Sequence, residues 1–316
     1  MENINWIKVG QKGIINLDLP VYSIGNGKNP SLAITCSVHG DETAGLFIVS
    51  KMLELLKNKS LKGTIYIIPA ANPAAQFMNS RVSFLDHKDL NRVGGGRKDG
   101  SLTERTASAL FEFLSARDAV INIHEFEMKT PVTGIFDNIG SLEIKKEIIN
   151  LLKAFSPEII WVLNFSKESD IQYHNTLDIS LTHSGIPNFP IETTQLSLLS
   201  EQDIIKAAQG LINVASYLGI TDKISENILN SHILIRHEVT SELSGIWEPN
   251  PELNLKEEIE KGKQIGTLKT LPDFQEHHIF SPYTGVLMQY RHRQLVATGA
   301  GLFSIGEKTE LDIKEK

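Results

Sequence analysis

The 316-residue chain has a single cysteine, Cys36, so no intrachain disulfide can form. Secreted domains of this size often carry several, so the sequence points to a reducing compartment. Long apolar runs are missing too: nothing approaches the roughly 18–20 residues that a bilayer-spanning helix requires. The opening Met1-Glu2-Asn3-Ile4-Asn5-Trp6 lacks the basic stretch and apolar core of a secretory leader. Together these absences predict a cytoplasmic protein with no membrane partner. Basic residues are outnumbered, 31 against 38 acidic, giving a formal net charge of −7. Nucleic acids and anionic membranes demand a basic footprint, so neither is expected as a partner, although a locally positive pocket is compatible with this balance.

What is present is enough for a sizeable core, in one large domain or two smaller ones. Residues 31–37 form a short apolar run with β-branched members after the turn at 27–30, and read as a buried strand. Residues 42–57 place Leu46, Val49, Met52, Leu53 and Leu56 at helical spacing. The same criteria predict strands over 63–69, 118–124 and 187–192, and helices over 102–114, 141–155 and 200–218. Strands alternating with helices imply an open α/β sheet covered on both faces. After about Ile220 the pattern changes to short strand-like runs and repeated glycine turns, the mark of a small all-β domain. The expected division is 1–222 and 223–316, at Thr221-Asp222-Lys223, with a charged, frayed tail from Glu307.

Five pieces of the chain carry chemistry. The strand ending at Ser37 delivers His39 onto a loop, and Glu42 falls in the first turn of the next helix, so one junction aims an imidazole and a carboxylate at a common point. Zinc accepts both donor types, and a catalytic site takes three protein ligands. The ordinary alternative is a helix-start acid beside a polar loop histidine. His124 ends an apolar strand, and in open α/β sheets ligands bind at the carboxyl ends of strands. It is a sensible third ligand, or else a satisfied half-buried histidine. Glu125 competes for a role near the metal, but in an extended strand it should point away. Arg81, Asn91 and Arg92 lie in an irregular stretch, 72–100, of a length that is often functional. Arg92 offers a planar fork for a carboxylate, with Asn91 as a donor beside it, and Arg81 suits an oxyanion. Solvated surface arginines are the alternative. Asp89 reads as an orienter of an arginine or of the loop. Glu192, at a strand end after Phe189-Pro190-Ile191, suits a general base with a raised pKa, or is a plain loop acid.

Taken as a set and in order, Val38-His39-Gly40-Asp41-Glu42, Asn72-Pro73 with Arg81, Lys88-Asp89-Leu90-Asn91-Arg92, Ile121-Asn122-Ile123-His124 and Ile191-Glu192-Thr193 resemble the zinc carboxypeptidase superfamily. Within it they resemble the succinylglutamate desuccinylase/aspartoacylase branch, over about residues 20–310. The resemblance implies a three-layer α/β/α zinc-carboxypeptidase-like domain with a mixed sheet, followed by a small all-β domain. It implies one zinc ion per chain on His39, Glu42 and His124, with Glu192 as general base. It places Asn91 and Arg92 on the substrate carboxylate and Arg81 on the tetrahedral oxyanion. Manganese or cobalt also suits such mixed ligands. The implied reaction is hydrolysis of the amide bond of a small-molecule N-acyl amino acid. A substrate-binding tyrosine is expected as well; Tyr173, Tyr283 and Tyr290 are the candidates, and Tyr283 is assigned the role.

Lys261–Gly266 and Ser281–Leu287 resemble a biotinyl/lipoyl-type half-barrel without its modified lysine, so this part reads as a scaffold or gate. Two departures from the branch stand out. Arg92 is followed by Val93-Gly94-Gly95-Gly96 where an aromatic-proline-glycine turn is common. No arginine lies between Ser180 and Ile191, where aspartoacylase-like enzymes hold an acyl-side carboxylate, which argues against an aspartate- or succinyl-type substrate; His183 is a weak substitute. The rival readings are a metallocarboxypeptidase trimming short peptides, a non-catalytic ligand-binding protein that retains the fold, and a structural partner protein. The sequence leaves a homo-oligomer open.

Overall fold

The computed structural model describes residues 2–27, 29–222 and 231–311. A twelve-stranded mixed sheet runs through it. Its centre is parallel: Thr64–Ile68, Ser31–Thr35, Ala119–Phe126 and Asn188–Thr194 lie side by side. Leu19–Gly25 and Glu2–Ile7 extend one edge in antiparallel fashion. On the other side Thr133–Phe136 pairs antiparallel to Asn188–Thr194, and then Ile159–Val162 and His232–Thr240 follow in parallel.

Side-chain alternation along the central strands sets the layers. Ile121 and Ile123 face a core shared with Ile48, Met52, Ile148 and Leu211, from the helices Ala44–Leu56, Leu142–Phe155 and Glu201–Tyr217. Val120 faces the opposite core, built with Leu110 and Leu114 of Leu102–Leu114 and with Leu177 and Leu181 of Leu177–His183. The architecture is therefore the expected three-layer α/β/α domain with a mixed sheet. No helix among the described residues is long and apolar enough to cross a membrane.

The C-terminal region is all-β, as expected. The antiparallel strands Gly301–Lys308, Gly285–Tyr290 and Glu258–Ile259 continue the large sheet beyond His232–Thr240. A separate four-stranded sheet, with Gln264–Thr270 and Gly245–Pro249 at its centre, packs on them around Trp247, Ile265, Leu268, Leu287 and Phe303. The start of the predicted second unit, from Lys223, lies outside the described residues. Glu307 and Lys308, expected to fray, instead pair with Ile235 and Leu234, because the last strand sits inside the sheet. The rest of the predicted tail, from residue 312, lies outside the described residues.

Several element ends differ from the sequence reading. The helix expected to include Glu42 starts at Ala44, with Thr43 at its cap. The strands carrying His124 and Glu192 each run two residues further, to Phe126 and Thr194. Strands Thr133–Phe136 and Ile159–Val162 and helix Leu177–His183 were not foreseen.

Candidate metal centre

The chain leaves Ser31–Thr35 through Ser37, which adopts a left-handed conformation (φ 53°) that a non-glycine residue holds only when its surroundings fix it. Its hydroxyl donates to the Glu42 carbonyl at 3.1 Å and receives Gln76 Nε2 at 3.1 Å, closing a tight loop. Gly40 is required inside that loop: a Cβ there would lie 2.0 Å from the Ala75 carbonyl carbon. The loop therefore lies directly on the short helix Pro73–Phe77, with Gly40 N donating to Ser80 O at 2.9 Å.

This loop brings His39 and Glu42 together beneath His124. His39 Nδ1 lies 2.6 Å from Glu42 Oε1, and His124 Nδ1 lies 2.9 Å from Glu42 Oε2. All three side chains are buried, and they offer ligand atoms within 4.8 Å of one another. His39 Nε2 is engaged by Asp89 Oδ1 at 3.0 Å, the outer hydrogen bond that commonly fixes a ligating imidazole. In a metal-bound state the Nε2 proton would stay with Asp89, leaving Nδ1 to ligate. Two imidazoles and a carboxylate, with a carboxylate behind one imidazole, fit a zinc-type ion. Burial disfavours charge on each member, yet their mutual contacts outweigh it: Glu42 is held down at about 2 by the two histidines, and His124 is raised to about 9, mainly by Glu42.

Glu192 reaches the same place from the adjacent strand. In the parallel register Glu192 is the direct partner of His124, and both alternate away from the core that contains Ile123 and Ile191. Its Oε2 is buried without a hydrogen-bond partner among the described residues. Burial, reinforced by the charge of Glu42 and opposed by His124, pushes its carboxyl up to about 7. Glu125 does face away from the cluster: its carboxylate accepts from Ala44 N and, at 2.9 Å, from Leu196 N. It covers the start of helix Ala44–Leu56, which leaves Glu42 free of that duty.

The irregular stretch supplies the cations. Arg81 is fastened to Asp89 Oδ2 through Nε at 3.1 Å and Nη2 at 3.0 Å, with Nη1 3.7 Å from Glu42 Oε1. Asp89 thus links His39 and Arg81, and their charges hold its carboxyl well below the usual range against the opposing effect of burial. Its Oδ1 also accepts from Asn91 N at 2.8 Å. Asn91 Oδ1 accepts from Leu177 N at 3.1 Å, fixing the amide at the wall of a narrow cavity. Arg92 lies over the Tyr173 ring, 5.4 Å from its centre, with Nη1 donating to Asn91 O at 2.8 Å.

That cavity, about 50 Å³, opens beside His124, Glu192 and Asn91 and is walled by Tyr173, Trp161 and Ile179. Tyr283 is not brought to it. Tyr283 is 40% exposed and stacks on His237, 4.7 Å between ring centres, so Tyr173 is the tyrosine that lines the site. Tyr290 is occupied by Lys129, whose Nζ lies 5.8 Å from the ring centre. The sequence reading also missed Asp137, Asp178 and Trp161 in the cavity wall, and Arg236, whose guanidinium lies 4.1 Å from the Trp161 ring centre. Asp178 resembles any helix-start acid in sequence; only the tertiary contact of Asn122 with its carboxylate marks it.

Known proteins resemble this chain in sequence and in fold. A deacetylase of N-alpha-acetyl-L-2,4-diaminobutyric acid from Halomonas elongata is 32% identical over 107 residues, 34% of this chain and 31% of the relative. The match thus spans about a third of that curated relative. The product-bound structure of the ectoine utilization protein EutE (DoeB) from Ruegeria pomeroyi superposes with a TM-score of 0.84 at 21% identity, covering 96% of this chain and 94% of that one. An aspartoacylase family protein from Mesorhizobium loti gives 0.80 at 24% identity, over 98% and 95% of the two chains. The family model described as the succinylglutamate desuccinylase/aspartoacylase catalytic domain matches residues 28–218, a span that holds every residue of the cluster from His39 to Glu192. The chain therefore belongs to the succinylglutamate desuccinylase/aspartoacylase family.

Proposed function

We propose that this protein is a cytoplasmic, zinc-dependent deacylase that hydrolyses the amide bond of a small N-acyl amino acid. The observation that carries the reading is the meeting of His39 Nδ1, His124 Nδ1 and the Glu42 carboxylate beside Glu192, a carboxyl with one oxygen unpartnered among the described residues. His39, Glu42 and His124 would hold one zinc ion. When bound, the ion supplies Lewis acidity and acidifies water near neutral pH.

Glu192, buried as the register partner of His124 with Oε2 unpartnered among the described residues, takes a proton from the attacking water and returns it to the leaving nitrogen. Arg81, steadied by Asp89, faces the developing oxyanion, a role worth about 3–4 kcal/mol by analogy with one preorganised donor. Arg92 and Asn91 hold the free carboxylate of the amino-acid half and set the position of the amide. The narrow cavity favours a small substrate over a peptide. The activity named for the Halomonas elongata relative supports a small N-acyl amino acid. The test is elemental analysis of the purified protein followed by hydrolysis assays on N-acyl amino acids and dipeptides. One zinc per chain with N-acyl amino acids preferred is expected; absence of a bound divalent metal would remove the reading.

A further inference from the structure

The strand His232–Thr240 sends one cationic side chain to the edge of the candidate site. Leu234 is the parallel register partner of Trp161 and packs in the same apolar cluster. Arg236, two residues on, falls on the same face of the strand. It is only 5% exposed, and arginine is seldom buried so far without a close partner. Its guanidinium lies over the Trp161 ring, 4.1 Å from the centre, and 5.8 Å from the centre of the Phe126 ring. Phe126 stands two residues beyond His124 on the strand Ala119–Phe126, and Trp161 walls the cavity beside Glu192.

Packing on aromatic rings does not account for how this group is partnered. The nearest carboxylate is that of Glu238, with Oε2 3.6 Å from Nη2, too far for a hydrogen bond. The same Nη2 donates to the Tyr173 hydroxyl at 3.4 Å, a long contact of the kind that tightens when substrate is bound. Tyr173 stands edge-on to Trp161, 5.6 Å between ring centres, and lines the cavity with His124, Glu192 and Asn91. A guanidinium can only donate, so the contact uses the phenol oxygen as an acceptor and leaves the phenol proton to be given elsewhere. Among the described residues that proton has no acceptor. Burial raises the Tyr173 phenol above its ordinary value, against the opposing charge of Arg236, so the proton is retained at neutral pH.

Building on the deacylase reading, we propose that Arg236 is a positioning residue of the active site, which occupies the acceptor side of the Tyr173 hydroxyl so that the phenol donates to an oxygen of the bound substrate. Arg236 itself does not touch the substrate. Its charge, held on Trp161, polarises the phenol and strengthens the one hydrogen bond that Tyr173 can still make. The all-β part of the chain thereby takes a role in the reaction through His232–Thr240.

The test is a double-variant cycle read in kcat/KM on the N-acyl amino acid that the zinc-loaded wild type hydrolyses best. Tyr173→Phe removes only the hydroxyl, and Arg236→Met removes the donors while keeping most of the volume. Each is expected to lower kcat/KM about tenfold, the scale of one charge-assisted hydrogen bond. Adding Arg236→Met to Tyr173→Phe should then cost less than about twofold more, because the group through which Arg236 acts is already gone. An arginine that serves the core alone, or that binds the substrate directly, costs the same with or without the hydroxyl. A double variant about a hundredfold below wild type therefore overturns the proposal, as does an Arg236→Met enzyme of wild-type activity. If Arg236→Met does not fold, Arg236→Lys, which keeps a charge but loses the planar fork, carries the same comparison. A loss that disappears without the Tyr173 hydroxyl supports the proposal, and one that persists overturns it. Absence of hydrolysis of every N-acyl amino acid by the zinc-loaded wild type removes the deacylase reading and this inference with it. Hydrolysis with multiplying losses removes the inference alone.

Discussion

Glu192 and His124 are register partners on neighbouring strands, and that pairing decides what each side chain can do. The two side chains share no hydrogen bond: the Nδ1 of His124 is engaged by Glu42, and His124 Nε2 and Glu192 Oε2 have no partner among the described residues. Glu192→Gln should therefore keep zinc content at the wild-type level while turnover falls about 100- to 10,000-fold, the usual contribution of general acid–base catalysis. Metal analysis alongside single-turnover kinetics checks this, and near-normal turnover would remove Glu192 from the mechanism. Arg92→Ala should raise KM about tenfold for substrates with a free carboxylate and leave matching carboxamides nearly unaffected. An equal loss on both would mean that Arg92 acts through Tyr173 and not through the carboxylate. At this scale the motif residues were legible, since His39, Glu42, His124 and Glu192 sit on strand ends and loops whose apolar flanks are explicit. The tyrosine was not. Tyr173 and Tyr283 have equally uninformative neighbours in sequence; the packing of Tyr173 between Arg92 and Trp161 and the exposure of Tyr283 beside His237 distinguish them.

At the scale of elements, the loop from Ser37 to Thr43 is the least replaceable piece. Gly40→Ala would drive a Cβ to 2.0 Å from the Ala75 carbonyl carbon and 2.2 Å from Gln76 N. Both are backbone atoms, so the loop must move and His39 with it. A loss of about 1–3 kcal/mol is expected, together with weaker zinc retention; a thermal melt and a competitive chelator titration measure the two. Helix Leu102–Leu114 begins with a capping box in which Glu104 bonds back to Ser101 N at 2.9 Å and to Lys88 Nζ at 2.8 Å. Lys88 and Ser101 hold the Glu104 carboxyl at about 2, below its unfolded value near 4.5. A depressed carboxyl stabilises the fold above the unfolded pKa and loses that contribution as pH falls through the folded one. The melting-temperature difference between wild type and Glu104→Gln should thus be full at pH 6 and vanish toward pH 2; a constant difference would show that the cap acts by shape alone. The helix itself was read with its observed ends, because Ser101 and Glu104 are explicit start signals. Thr133–Phe136 and Ile159–Val162 escaped notice because four-residue buried strands carry too few positions to establish a period. The start of Ala44–Leu56 was misplaced since Glu42 looks like a first-turn acid until Glu125 is seen covering that turn.

Over the whole molecule, the candidate metal centre is the point where loop 37–43, strand Ala119–Phe126 and the irregular stretch before Arg92 meet. Without an ion, two histidines and a carboxylate lie buried against one another. At zinc concentrations 100-fold above Kd the bound ion contributes about 2.7 kcal/mol. Chelation should therefore lower Tm by on the order of 5 °C, reversibly on adding zinc back; an unchanged Tm would argue that no ion sits there. The α/β class and the all-β change after Ile220 were both legible, since periodicity and glycine spacing report them directly. The joining of the two parts was not: no local signal tells that His232–Thr240 will pair with Ile159–Val162. That pairing has a consequence for dissecting the protein. Cutting the chain after residue 222 would strip Ile159–Val162 of one of its two neighbours and bare a row of unsatisfied amides and carbonyls on an apolar strand, a ready template for self-association. The final third is thus no detachable lid: a shortened version is expected to clump on expression, whatever the integrity of the His39–Glu42–His124 cluster it retains.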